Sequence, residues 1–152
     1  MVVVGVVVER GQDQRIDAGN PSLTAVAASY DIAVEQSLKG DAEGTLTLTK
    51  IVGYDVSGEE SDTKEAYSVD IDSANSIKVG SRYVLAVIQS DGRWYATAEP
   101  FRFRLEGGEA VAESGMLEDA FLEDRFPARS ETDLISDVES IVAAQAAEAA
   151  AR

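Results

Sequence analysis

The chain has 152 residues, 45% of them apolar, which is enough to bury one core and argues against disorder throughout. Its 13 bases against 28 acids give a net charge of −15, a field that repels nucleic acid at long range. The absence of cysteine and histidine excludes disulfide frameworks, thiolate nucleophiles, histidine-assisted serine triads and zinc sites built on either residue.

No window approaches the roughly 20 apolar residues of a membrane-spanning helix, so no transmembrane segment is expected. Met1 leads straight into Val2-Val3-Val4-Gly5-Val6-Val7-Val8, with no basic region ahead and no small-residue cleavage site behind. The run therefore reads as a buried strand rather than an intact signal peptide. Segment 11–29 holds Gly11, Gly19, Asn20 and Pro21 among polar residues and reads as a long connection. Over 30–38, Tyr30, Ile32, Val34 and Leu38 share one face and Asp31, Glu35 and Ser37 the other, the pattern of a half-buried strand.

Turn-like residues 39–44 lead into Thr45-Leu46-Thr47-Leu48-Thr49-Lys50-Ile51-Val52, a second strand antiparallel to the first. The acidic stretch 53–66 reads as a solvated surface loop, and Tyr67-Ser68-Val69-Asp70-Ile71 as a short strand. Over 82–90 both alternating faces are apolar, as in a strand covered on both sides. Asp91-Gly92 follows as the strongest hairpin signal in the chain, because a two-residue type I′ turn needs positive φ at both positions. That turn sets Gln89 opposite Trp94, Ile88 opposite Tyr95, Val87 opposite Ala96 and Leu85 opposite Ala98, with the partner strand over 93–98.

Pro100 breaks that strand, and 101–105 alternates again, with the aromatics expected inward and Arg102 and Arg104 in solvent. Gly107-Gly108 and the run 109–112 finish the β region. Beyond it, Met116, Leu117, Ala120 and Phe121 suggest one or two helical turns ended by Phe126-Pro127. In the last element Ser130 or Thr132 supplies a cap, and Leu134, Ile135, Val138, Ile141 and Val142 form an apolar stripe on a helix over 130–144. The alanine-rich tail 146–152 is expected to fray. The chain is thus read as a single domain, 1–152, with the β part over 2–112 and a helical segment over 116–145.

This order of elements predicts a mainly β fold, a small antiparallel OB-like barrel with a C-terminal amphipathic helix. Val4-Gly5-Val6-Val7, Tyr30-Asp31-Ile32-Ala33-Val34-Glu35-Gln36-Ser37-Leu38-Lys39-Gly40, Gly44-Thr45-Leu46-Thr47-Leu48 and Val79-Gly80-Ser81-Arg82-Tyr83-Val84-Leu85 carry a resemblance. They resemble bacterial secreted domains of the OB-fold type, which are similar to the N-terminal inhibitory domain of the tissue inhibitors of metalloproteinases. The likeness spans residues 2–105 and rests mostly on core and turn residues, so it bears on fold far more than on function. It implies an extracytoplasmic or cell-surface location, although a cysteine-free chain is equally compatible with the cytoplasm. In the animal inhibitors an N-terminal cysteine chelates the protease's zinc and disulfides brace the fold. This chain has no cysteine, so inhibition of zinc proteases is not carried over.

Two kinds of acid-based chemistry are weighed. Glu99, beside Pro100 and Phe101 and near Trp94 and Tyr95, is the one acid placed by an aromatic cluster, yet it reads more simply as a strand-end surface residue. Asp70-Ile71-Asp72 and the acids between Asp55 and Asp62 lack the spacing of a calcium loop and read as solvated charge. No catalytic residue, metal ligand or cofactor is therefore nominated. The candidate ligand-binding surface is Arg93, Trp94, Tyr95, Phe101 and Arg102, which joins aromatic area to some of the few positive charges. The expected function is a non-catalytic binding module for a protein or carbohydrate. The alternative, a carboxylate-based hydrolase acting on a carbohydrate, requires a cleft holding two acids, one buried enough to raise its pKa.

Overall fold

A computed structural model describes residues 1–20, 23–56, 67–70, 77–97, 102–114, 117 and 119–152. In chain order the elements are β1 (Val2–Arg10), β2 (Gln14–Asn20), β3 (Leu23–Lys39), β4 (Thr45–Val56), β5 (Tyr67–Asp70), β6 (Arg82–Ser90), β7 (Arg93–Ala96), β8 (Arg102–Glu106), β9 (Glu109–Glu113), α1 (Asp119–Arg125), β10 (Arg129–Ser130) and α2 (Glu131–Ala150). The protein is mainly β with a C-terminal helix, as expected.

Five strands form a ring of pairings. β1 runs antiparallel to β3, β3 to β4, β7 to β6 and β6 back to β1, while β4 and β7 meet in parallel through Leu48↔Trp94 and Thr49↔Tyr95. β8, β9 and β10 extend the sheet from β6, and β2 and β5 flank the far ends of the long β3–β4 pair. The Asp91-Gly92 turn has φ of 49° and 74°, and it sets Gln89↔Trp94, Ile88↔Tyr95 and Val87↔Ala96 as the sequence predicts. Ala98 lies outside the described residues.

β1 and β6 are covered on both sides, so two apolar clusters share them. Val3, Tyr30, Ile32, Leu48, Leu85 and Val87 belong to one, and Val4, Leu38, Val84, Leu105 and Leu134 to the other. Full burial of each such side chain stabilises the fold by roughly 1.5–3 kcal/mol before entropy is subtracted. Gly5 lets β1 approach β3 closely: a Cβ there would stand 2.7 Å from the Ala33 carbonyl oxygen and from Ile32 Cγ2.

Four expectations are corrected. Segment 11–29 is not a connection, because β2 occupies its middle and β3 begins at Leu23, with Ala25, Ala27 and Ala28 buried beneath the β3–β4 pairing. Small alanines carry little intrinsic strand preference, and the cross-strand partners supply what propensity does not. Residues 53–56 are likewise strand, the end of β4 paired with β5, while 57–66 and Ile71 lie outside the described residues. Arg102 is fully buried rather than solvated.

The fourth correction concerns the C-terminus. α1 begins at Asp119 and buries Leu122, leaving Phe121 exposed, and Met116 lies outside the described residues. Ser130 caps α2 by accepting from the Asp133 N–H at 3.0 Å, and Glu131 and Asp133 occupy its electropositive first turn. The helix continues beyond 144 to Ala150, in keeping with alanine's being the strongest helix former. It docks through Leu134, Ile135 and Val138, whereas Ile141 is 57% exposed. Near that level polar side chains hold α2 to β3: Gln36 donates to Glu139 and Lys39 to Gln145.

Candidate functional site

Alternation along β3 and its register with β4 place Ser29, Asp31, Thr47 and Thr49 on one face, opposite the core residues Tyr30, Ile32, Leu46 and Leu48. Gln14 of β2 joins that face through its pairing with Ala27. The Asp91-Gly92 turn brings Arg93 and Trp94 alongside. Together these residues bound a cleft of about 460 Å³, lined by Gln14, Ser29, Thr47, Thr49, Arg93 and Trp94 with the small residues Ala27, Ala28 and Gly92 between them.

Each lining side chain is held differently. Trp94 is half-buried and packs against the core cluster, which fixes its ring. Arg93 is exposed and forms no ion pair among the described residues. Thr47 donates its hydroxyl proton to Asp31 at 2.7 Å, whereas Thr49 is nearly buried. The polar residues of the lining are thus an arginine, serine and threonine hydroxyls and a glutamine amide, beside Trp94, without a carboxylate. Such a set can hold a polar ligand by hydrogen bonds and one charge.

Of the five residues nominated from sequence, Arg93 and Trp94 border this cleft. Tyr95 is absent from the lining although its pairing with Thr49 puts it on the face of the hydroxyl row, while Trp94 pairs with Leu48 on the core face and reaches the cleft from that side. Phe101 lies outside the described residues, as do Glu99 and Asp72. Arg102 is withdrawn from any surface, its Nε 3.3 Å from Glu113 Oε2, because Glu113 stands directly opposite it on β9. Asp55, counted among the acids of a possible calcium loop, is engaged by Arg15 at 2.6 Å. No cluster of three metal-ligating side chains occurs among the described residues.

Sequence reasoning missed Gln14, Ser29, Thr47 and Thr49, since each is an ordinary polar strand residue until the register assembles them. It also passed over Ser61-Asp62-Thr63-Lys64, a serine and lysine at the spacing of Ser-Lys acyl enzymes, which lies outside the described residues.

Two further hollows differ in character. Trp94 also borders one of about 580 Å³ beside the β3–β4 turn, with Met1, Lys39, Ala42 and Leu46. Another, about 490 Å³, lies between α1 and the β8–β9 pair, where Glu113, Asp119 and Glu123 meet Lys78 and Arg104. There Glu113 accepts from Arg104 Nε at 2.6 Å as well as from Arg102. The buried Tyr83 hydroxyl nearby accepts from the Lys78 N–H, and burial is the main reason its pKa is raised. Comparisons with known protein families, characterised proteins and solved structures find no match to this chain.

Proposed function

We propose that this chain is a non-catalytic extracytoplasmic binding module on an OB-like barrel, and that its protein or carbohydrate ligand enters the cleft beside Trp94. The strand order supports the barrel. Three antiparallel strands, β1, β3 and β4, are followed by β6 and β7, and the parallel β4–β7 contact completes the circuit, as in a five-stranded Greek-key barrel. Barrels of this kind meet ligands on their second and third strands and on the loops after the first and fourth. The cleft has the same address: β3, β4, Gln14 from the segment after β1, and the turn after β6.

The observation that carries the reading is the lining itself, which gathers hydrogen-bonding groups and one positive charge beside Trp94. The resemblance to secreted bacterial domains supports a location outside the cytoplasm, and no described helix is long and apolar enough to cross a membrane. The hydrolase alternative would draw on Glu113, Asp119 or Glu123 beside α1, but two arginines already engage Glu113.

A binding screen against glycan and protein panels, paired with glycoside, ester and peptide hydrolysis assays, tests the proposal. A ligand bound by the wild type and lost in Trp94→Ala, with the melting temperature kept, supports it. Turnover abolished by Glu113→Gln or Ser61→Ala would overturn it.

A further inference from the structure

We infer that the hollow at the β3–β4 turn, on the core side of Trp94, takes a small apolar amine, its ring lodged among Trp94, Met1, Ala42 and Leu46 and its ammonium group beside Asp41 and Glu43. This is a second site with another class of ligand, and it stands independently of the cleft that Gln14 and Arg93 border.

The four apolar residues meet because they share the core face. Leu46 belongs to the cluster inside the ring of strands, and Met1, Ala42 and Trp94 pack against that same cluster. The pairing of Trp94 with Leu48 sets the indole on this side. Met1 is anchored to β6, its carbonyl accepting from the Val87 N–H at 2.9 Å. The turn closes down on the Met1 side chain: Gly40 has a φ of 91°, and a Cβ there would stand 3.2 Å from Met1 Cγ. The walls are therefore in place before a ligand arrives, so lodging a ring among them costs little ordering. A volume of about 580 Å³ lies within the range of small-molecule sites.

Charge selects among apolar ligands. Lys39 and the Met1 ammonium are both engaged by neutral acceptors, Lys39 by Gln145 of α2 at 2.8 Å and Met1 by the Val87 carbonyl at 2.7 Å. Asp41 and Glu43 are exposed on the turn that borders the hollow, and neither forms an ion pair among the described residues. An anion would meet these two acids and the field of a chain of net charge −15, which draws a cation in. An indole is also the best aromatic partner for an ammonium group.

Trp94 is the sole tryptophan in the chain, so its fluorescence reports on the site without a label. The probes are phenethylammonium, neutral phenethyl alcohol and anionic 3-phenylpropionate, with calorimetry as a second readout. Phenethylammonium is expected to perturb Trp94 and to bind about fivefold more tightly than the alcohol, as one solvent-accessible ionic contact allows, with the anion weakest. That preference should shrink as salt rises and disappear in the double variant Asp41→Asn with Glu43→Gln, whose exposed positions leave the fold intact. Ala42→Phe places a ring in the hollow itself and should abolish binding of the amine. None of these three residues lines the other cleft, so a ligand held there is unaffected by the variants. Equal affinity for the three probes, or a preference that survives the double variant, overturns the amine class. Unchanged binding in Ala42→Phe overturns the location. If phenethylammonium gives neither a fluorescence change nor heat up to its solubility limit, the inference fails as a whole, while the binding-module reading is judged by its own panels.

Discussion

Arg102 and Glu113 face each other across β8 and β9, with the guanidinium wholly enclosed and the carboxylate held on its other oxygen by Arg104. Among the described residues, Glu113 is the acid that engages this buried cation. Glu113→Ala is expected to cost about 3–5 kcal/mol, the loss associated with leaving one partner of a buried pair behind. Urea denaturation measures it, and a loss below about 1 kcal/mol would mean that this pair does not compensate Arg102.

Arg82 bridges Glu35 on β3 and Glu131 at the start of α2, both at 2.5 Å, and these hydrogen bonds raise its pKa. The guanidinium thus stays charged across the working pH range, and the bridge should respond to salt rather than to pH. Because all three groups are partly exposed, Arg82→Gln should cost only about 1 kcal/mol at low ionic strength and less at high. Thermal melts at two salt concentrations give the comparison.

Tyr83 supplies the alkaline limb of the stability profile. Burial raises its folded-state pKa, so above the ordinary tyrosine value of about 10 the unfolded chain releases a proton that the native state keeps. Its contribution is complete below that pH and is lost as pH rises toward the folded-state pKa. Tyr83→Phe should flatten this limb while costing about 1 kcal/mol at neutral pH, through the lost acceptor for the Lys78 N–H. Denaturation curves across the alkaline range test both effects.

Leu85 lies at the centre of β6 with no exposure. Leu85→Asp places an unpaired charge in the core at a cost of several kcal/mol, comparable with a whole domain's stability, and should abolish cooperative unfolding. A natively folded, soluble variant would contradict the register of β6.

Truncation after Arg129 removes Leu134, Ile135 and Val138 and uncovers Val4, Val84 and Leu105 beneath them. The melting temperature should fall markedly, given roughly 1.5–3 kcal/mol for each fully buried side chain. An unchanged value would make α2 an independent appendage.

The hairpin over 82–96 was legible because its information is local: an Asp-Gly turn and apolar alternation fix strand, turn and register together. The first third of β3 was not, since Ala25, Ala27 and Ala28 pair with β4 residues more than 20 positions away, and β2 was missed with it because its partner is that same stretch. Arg102 shows the same limit, for alternation assigns a face but cannot tell that Glu113 waits across the ladder. The site was half legible. Arg93 and Trp94 follow from the turn, whereas the hydroxyl row of Ser29, Thr47 and Thr49 exists only once β3 and β4 are in register.

The parallel join of β4 to β7 consists of two residue pairs, Leu48↔Trp94 and Thr49↔Tyr95, against five between β1 and β6. It is the clasp of the ring, and Thr49 and Trp94 both line the cleft as well as forming part of that clasp. Parting there would pull these two lining residues away from each other while leaving α2 seated on the far cluster. Filling the cleft and fastening the ring are therefore one thermodynamic event: a ligand that spans Thr49 and Trp94 favours the closed circuit in proportion to how far its concentration exceeds its dissociation constant. The amides of 48–49 and 94–95 should then gain more protection from hydrogen exchange on ligand binding than those at the centre of β1.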